Sequence, residues 1–243
     1  MRYALLADIH ANLTAFKAVL KDIERQGGVE EVWCLGDIVG YGPQPGRCIE
    51  LLRRTKHTCI AGNHDLAAIG RLELSNFNPD AATAIRWTVE QLTDADVDFL
   101  AALPAVTERE GFTLVHGSPR EPVWEYLVSI SAARESFAYF KTRFCLVGHS
   151  HMPLVFKQEE GGASFIPFAE DIGLVLGRGR LMVNPGSVGQ PRDGDPRASY
   201  AIYDSEAGVV RLHRVSYDIG EVQLKMMKNN LPVRLSVRLG QGV

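Results

Sequence analysis

Nine side chains able to bind metals or carry protons fall into five short motifs. "DIH" holds Asp8 and His10, "GD" holds Asp37, and "GNHD" holds Asn63, His64 and Asp65. "HG" holds His116, and "GHSH" holds His149 and His151. Five of the seven histidines sit in these motifs, with His57 and His213 outside them. Imidazole and carboxylate are customary ligands of divalent transition metals. Asp8, His10, Asp37, Asn63, His116, His149 and His151 make seven candidate ligands, more than one ion with an open position accepts. The set suits two ions that share a bridging carboxylate. Two divalent ions against two carboxylates leave a positive centre, as an anionic phosphate ester requires. Two metals about 3.5–4 Å apart can hold ester oxygens and lower the pKa of a bound water toward about 7. A nitrogen and oxygen set without thiolate fits Mn, Fe, Co, Ni or Zn and does not choose among them; manganese is the favoured expectation. In "GHSH" the two histidines stand at i and i+2, which share a face in an extended strand. Both on one ion is therefore an open alternative at the level of local pattern.

These motifs need elements to bring them together, and each follows an apolar, strand-like run. The runs are "RYALLA" (2–7), "EVWCLG" (31–36), "HTCIAG" (57–62), "FTLVHG" (112–117) and "FCLVGH" (144–149). Between them lie helical patterns. Asn12 can cap a helix with Leu13, Phe16, Val19, Leu20 and Ile23 on one face, ending near Gly27. A second helix runs through "RCIELLRR", a third over about 78–103 with Pro104 as its stop, and a fourth near 131–141. This β-α-β order predicts a parallel-rich sheet with helices outside, whose C-terminal strand ends share one crevice. The last third changes to "PLVFK", "ASFIPFA", "LMVNPG", "ASYAIYD" and "VVRLHRV", joined by Gly, Pro and Asp turns, which predicts antiparallel pairing. Asp218 can cap a final helix to about Lys228. The expectation is one α/β domain over 1–243, with two packed sheets flanked by helices. Residues 66–110 exceed a simple crossover and could form a helical cap over the site; the alternative is a structural crossover with Trp87 and Leu92 in the core.

Bulk properties exclude several classes. The chain has 243 residues, a net charge of −3, 46% hydrophobic and 23% charged residues. That is ordinary for a globular domain and gives no nucleic-acid-binding surface. No apolar run approaches the ~18 residues of a membrane span. The apolar stretch before Asp8 is too short for a signal peptide, so a cytoplasmic protein is expected. The four cysteines form no CxxC pair and read as buried apolar residues in a reducing compartment. "NLT" (12–14) reads as a helix start rather than a glycosylation site. The oligomeric state is open and compatible with a homo-oligomer.

Taken in order, the five motifs resemble the calcineurin-like metallophosphoesterase superfamily, and "NPGSVGQPR" (184–192) resembles its small bacterial phosphodiesterase branch. The resemblance implies a four-layer α/β/β/α sandwich. It also implies a ligand assignment: Asp8, His10 and His151 on one metal, Asn63, His116 and His149 on the other, Asp37 bridging. His64 would be a non-ligand that stabilises the transition state or protonates the leaving oxygen, with Asp65 orienting it. A metal-bridging hydroxide would attack phosphorus in line. If His149 and His151 serve different ions, the chain must leave strand geometry at Gly148. Protein serine/threonine phosphatases of the superfamily carry an Asp-Arg pair after their second motif, where this chain reads "GDIVGYG", and a Glu in place of Asp65. Arg192 could supply the phosphate contact instead, and Asn12 could face the site. The expected activity is phosphodiester hydrolysis of a small-molecule or nucleotide ester. The alternatives are a phosphomonoesterase, a dinucleoside polyphosphate hydrolase, or a non-catalytic binding module on the same fold.

Overall fold

The computed structural model describes residues 1–170 and 172–243. In chain order its elements begin with β1 (Arg2–Leu6), α1 (Leu13–Arg25), β2 (Glu31–Cys34), α2 (Pro45–Arg53), β3 (His57–Cys59) and α3 (Asn63–Ala68). A 3-10 turn (Leu74–Asn76) precedes α4 (Pro79–Gln91), α5 (Asp94–Ala101), β4 (Val106–Arg109), β5 (Phe112–Val115), α6 (Ile130–Ser136) and β6 (Phe144–Leu146). The remainder comprises β7 (Pro153–Glu159), β8 (Gly162–Ile166), β9 (Gly173–Val175), β10 (Leu181–Pro185), β11 (Ala198–Asp204), β12 (Val209–Val215), α7 (Ile219–Lys228) and α8 (Val233–Leu239).

Two six-stranded sheets form, ordered β3-β2-β1-β11-β12-β9 and β4-β5-β6-β10-β7-β8. The chemistry-bearing strands pair in parallel, β1 with β2, β2 with β3, and β5 with β6. The later strands add antiparallel pairs, such as β11 with β12 and β7 with β8. Burial on both faces follows from period two. Tyr3 and Leu5 of β1 enter the core between the sheets, while Ala4 and Leu6 enter the core beneath α1 and α2. Trp33 stacks on Tyr3 at 4.5 Å and meets Phe112 of the other sheet at 5.6 Å, joining the two sheets. A third core packs α6 on the second sheet through Ala133, Phe137, Cys145 and Met182. The layers are therefore α/β/β/α, as expected.

Three local expectations are revised. The helix over 78–103 is two helices. The chain turns extended at Leu92, and Thr93 restarts a helix through a reciprocal capping box with Asp96. The segment over 66–110 ends as β4, an edge strand antiparallel to β5, so it is not wholly helical. The helix near 131–141 stops at Ser136. Beyond what the sequence predicted, α3 begins inside "GNHD" itself, so Asn63, His64 and Asp65 lie on the first turn of a helix. All four cysteines are buried and unpaired. Among the described residues, no helix is long and apolar enough to cross a membrane.

Candidate metal centre

Asp8, His10, Asp37, Asn63, His64, Asp65, His116, His149 and His151 converge at the C-terminal ends of β1, β2, β3, β5 and β6, and all are buried. Backbone conformation sets five of them apart. Asp8, His10, Asp37, His149 and His151 adopt positive φ of 55°, 47°, 54°, 63° and 60°. Left-handed geometry costs a non-glycine residue about 1–3 kcal/mol and persists only where the surrounding structure over-determines it, as at active sites. It lets each loop fold back sharply after its strand and aim the side chain into the crevice. At "GHSH" the strand stops at Leu146, so His149 and His151 do not share a face. His149 Nδ1 points to His116 Nε2 at 3.2 Å, whereas His151 Nε2 points to His10 Nε2 at 3.1 Å.

The donor chemistry fits cations. Nδ1 of His10, His116 and His151 donates to the carbonyls of Val39, Leu35 and Gln190, at 3.1, 2.8 and 2.6 Å. A carbonyl only accepts, so each ring carries its proton on Nδ1 and keeps a lone pair on Nε2. The lone pairs of His10 and His151 then face each other, an arrangement that repels unless a cation sits between them. Nearby, His116 Nε2 is 3.0 Å from Asn63 Oδ1 and 3.4 Å from Asp37 Oδ2. His151 Nε2 is 3.5 Å from Asp8 Oδ1. Asp8 Oδ2 and Asp37 Oδ2 are buried without hydrogen-bond partners. Three ligand groups result: Asp8 with His10 and His151, Asp37 with His116 and His149, and His10 with Asp37 and His64. Asp37 belongs to two of them. It keeps one oxygen for His64 N–H, which donates to Oδ1 at 2.9 Å, and directs the other inward.

Charge states match this reading. Burial holds His10 and His151 well below the ordinary imidazole value, and holds His149 down to about 3, so these rings are neutral and able to ligate. Burial raises the Asp8 carboxyl to about 7 in the absence of a compensating cation. Burial also opposes charge on His116, but the Asp37 and Asp8 carboxylates outweigh it and raise that ring to about 9. With no ion bound, a proton on Nε2 answers the two carboxylates; an ion at that place would supply the positive charge instead, displace the proton and take the Nε2 lone pair.

Two expected roles change. Asp65 does not orient His64. Its carboxylate accepts four backbone N–H groups, from Asp37 (2.8 Å), Ile38 (2.9 Å), Val39 (3.1 Å) and Gly62 (3.0 Å). His64 Nδ1 has no partner. Adjacent residues on a helix point apart, so Asp65 holds the Asp37 loop while His64 faces the site. Asn12 does not offer a free edge either. Its Oδ1 caps α1 through Ala15 N–H at 3.0 Å, and its Nδ2 donates to Gly189 O at 2.9 Å. Arg192 does reach the site's rim. Its Nη2 lies 3.0 Å from Gln190 Oε1 and 3.5 Å from the Tyr41 hydroxyl, and its Nε is buried without a partner.

Sequence reading missed the supports. Asn184 Nδ2 donates to Gly148 O at 2.7 Å and Ser150 Oγ at 3.0 Å, bracing "GHSH". Ser187 Oγ donates to Asp8 O at 2.9 Å. The "NPGS" cluster, rich in polar and turn residues directly after an apolar strand, was the available signal. Tyr41, 4.5 Å from the His10 ring and 4.3 Å from that of His64, carried none. Gly62 is required by close approach, because a Cβ there would lie 2.0 Å from Asp37 Oδ1.

Comparison with known proteins agrees with this geometry. The family model described as the calcineurin-like phosphoesterase superfamily domain matches residues 1–208. The chain belongs to that superfamily. A solved metallophosphoesterase from Sphaerobacter thermophilus is 45% identical, with a TM-score of 0.91 over 100% of this chain and 99% of that one. An uncharacterized protein of Methanocaldococcus jannaschii is 39% identical over 98% of this chain and 97% of its own length. A symmetrical bis(5'-nucleosyl)-tetraphosphatase of Actinobacillus pleuropneumoniae is 24% identical over 57% of this chain and 52% of that protein, so the likeness spans about half of it. This superfamily member is a phosphoester hydrolase with candidate metal-ligand groups at its strand ends.

Proposed function

We propose that the protein hydrolyses phosphodiester bonds at a dinuclear centre. Asp8, His10 and His151 would hold one ion, Asn63, His116 and His149 the other, and Asp37 would bridge them. The observation that carries this reading is the pair of ligand groups, Asp8–His10–His151 and Asp37–His116–His149, with Asp37 Oδ2 facing both His10 and His116 at 3.5 and 3.4 Å. Two divalent ions, with manganese the first to test, would supply Lewis acidity and a water of lowered pKa. The chain's own residues supply the rest. The His64 ring, whose Nδ1 is buried against Gly40 without a hydrogen-bond partner, would serve the departing or equatorial oxygen. Arg192 offers a cation to a second phosphate oxygen, the task that an Asp-Arg pair performs in protein phosphatases. Four free, buried thiols fit the cytoplasmic location expected from sequence. A second reading, dinucleoside polyphosphate hydrolysis, draws on the partial likeness to the tetraphosphatases.

A turnover panel with Mn²⁺ separates these readings. Bis-p-nitrophenyl phosphate is expected to exceed p-nitrophenyl phosphate in kcat/KM by tenfold or more, on the order of 1.4 kcal/mol of transition-state preference. A dinucleoside polyphosphate turned over far faster than either would move the assignment to the second reading. No turnover of any ester would end both.

A further inference from the structure

Beside the metal centre lies an aromatic surface that ion binding does not explain. Tyr126 stacks on the candidate ligand His149, with ring centroids 4.0 Å apart and planes 26° apart. Yet Tyr126 is 52% exposed, so the ring face turned away from His149 meets solvent. Two residues earlier, Trp124 packs on Phe77 at 4.9 Å, and Phe77 meets the His64 ring at 5.2 Å. The aromatic residues thus flank both His64 and His149.

The loop that carries them is held in place. Between Trp124 and Tyr126, the Glu125 carboxylate accepts hydrogen bonds from Ser118 Oγ and from Arg120, which also pairs with Glu135. Gly117 N–H donates to Pro122 O at 2.6 Å, closing the loop on a glycine whose Cβ would strike Glu121 O at 2.7 Å. Leu127 anchors the far side in the core. A large aromatic side chain left half in water on a rigid loop forgoes burial, unless a ligand covers it. Phosphate oxygens would be drawn to the ions and Arg192, so what reaches this wall is the organic group esterified to phosphate. Flat π faces select a flat partner.

We propose that Phe77, Trp124 and Tyr126 form a stacking subsite for the nucleobase of a nucleoside phosphate ester. This rests on the phosphoesterase reading for its purpose but is testable apart from it. Calorimetric titration of the Mn²⁺-loaded protein with adenosine 5'-monophosphate and with ribose 5-phosphate isolates the base, because the two differ only there. Stacking of one base is expected to make the nucleotide bind about tenfold tighter or more. In Tyr126→Ala that ratio should fall to within about twofold, and Tyr126→Phe should restore it. Equal affinities in the native protein would overturn the subsite, as would a ratio unchanged by Tyr126→Ala. Because the native protein alone can give the first of these results, a poorly folded variant leaves the test intact. Base preference without turnover of any ester would keep the subsite and remove the phosphoesterase reading; turnover without base preference would do the reverse.

Discussion

Replacing His64 with alanine is expected to lower kcat about 10²–10⁴-fold, the usual contribution of a positioned acid or base, while ion content stays unchanged. The ring stands edge-on to His10 at 4.8 Å and 81°, against Tyr41 and Phe77, with Nδ1 unpartnered. Its own backbone N–H, not its ring, binds Asp37. Burial lowers its pKa to about 4, so the free protein carries it neutral near pH 7. A bound phosphate anion favours the protonated ring, which is the form able to donate to a leaving oxygen. The geometry also permits the contrary result, since His64 lies within ligand distance of His10 and Asp37. Elemental analysis of His64→Ala decides: loss of an ion would make His64 a ligand and remove its assignment as the proton carrier.

Asp65→Ala should be the most damaging substitution for stability near the site. It leaves four buried N–H groups without the acceptor that holds the Asp37 loop. An unsatisfied buried donor costs about 1–3 kcal/mol, and water entering the vacated space would meet part of that. A loss of at least about 3 kcal/mol is expected, seen as a Tm fall of roughly 6–12 °C for a chain of this size. The Asp37 loop should loosen with it, so ion content should fall as well. Asp65→Asn keeps one acceptor oxygen and should lose less. If Asp65→Ala unfolds at the native temperature and keeps its ions, the bracing role is wrong. Measuring both variants by thermal unfolding and elemental analysis covers these outcomes.

The convergence of the candidate ligands was legible because each follows an apolar run, and strand ends in such sheets converge whatever lies between them. Two features were not legible. Positive φ at Asp8, His10, Asp37, His149 and His151 leaves no mark in residue type, since none of these is glycine. Asp65 beside His64 suggested a carboxylate behind an imidazole, and only the helix at "GNHD" shows the two side chains parting. The 78–103 stretch looked continuous because Leu92 fits the helical period, whereas Thr93 and Asp96 impose a new start by capping. β4 and β9 are short edge strands, and their sequences carry little alternation for a pattern to detect. Tyr126 and Trp124 sit in a loop with no period at all, so their convergence on His149 and Phe77 is a product of the tertiary fold.

The most direct test of a dinuclear centre is elemental analysis of the purified protein after Mn²⁺ loading and removal of loose ions, alongside Asp37→Ala. Two ions per chain are predicted for the native protein, with both sites weakened in the variant because Asp37 serves both groups. A native stoichiometry of one or zero, or an Asp37→Ala variant that holds two ions as tightly as the native protein, would contradict the account.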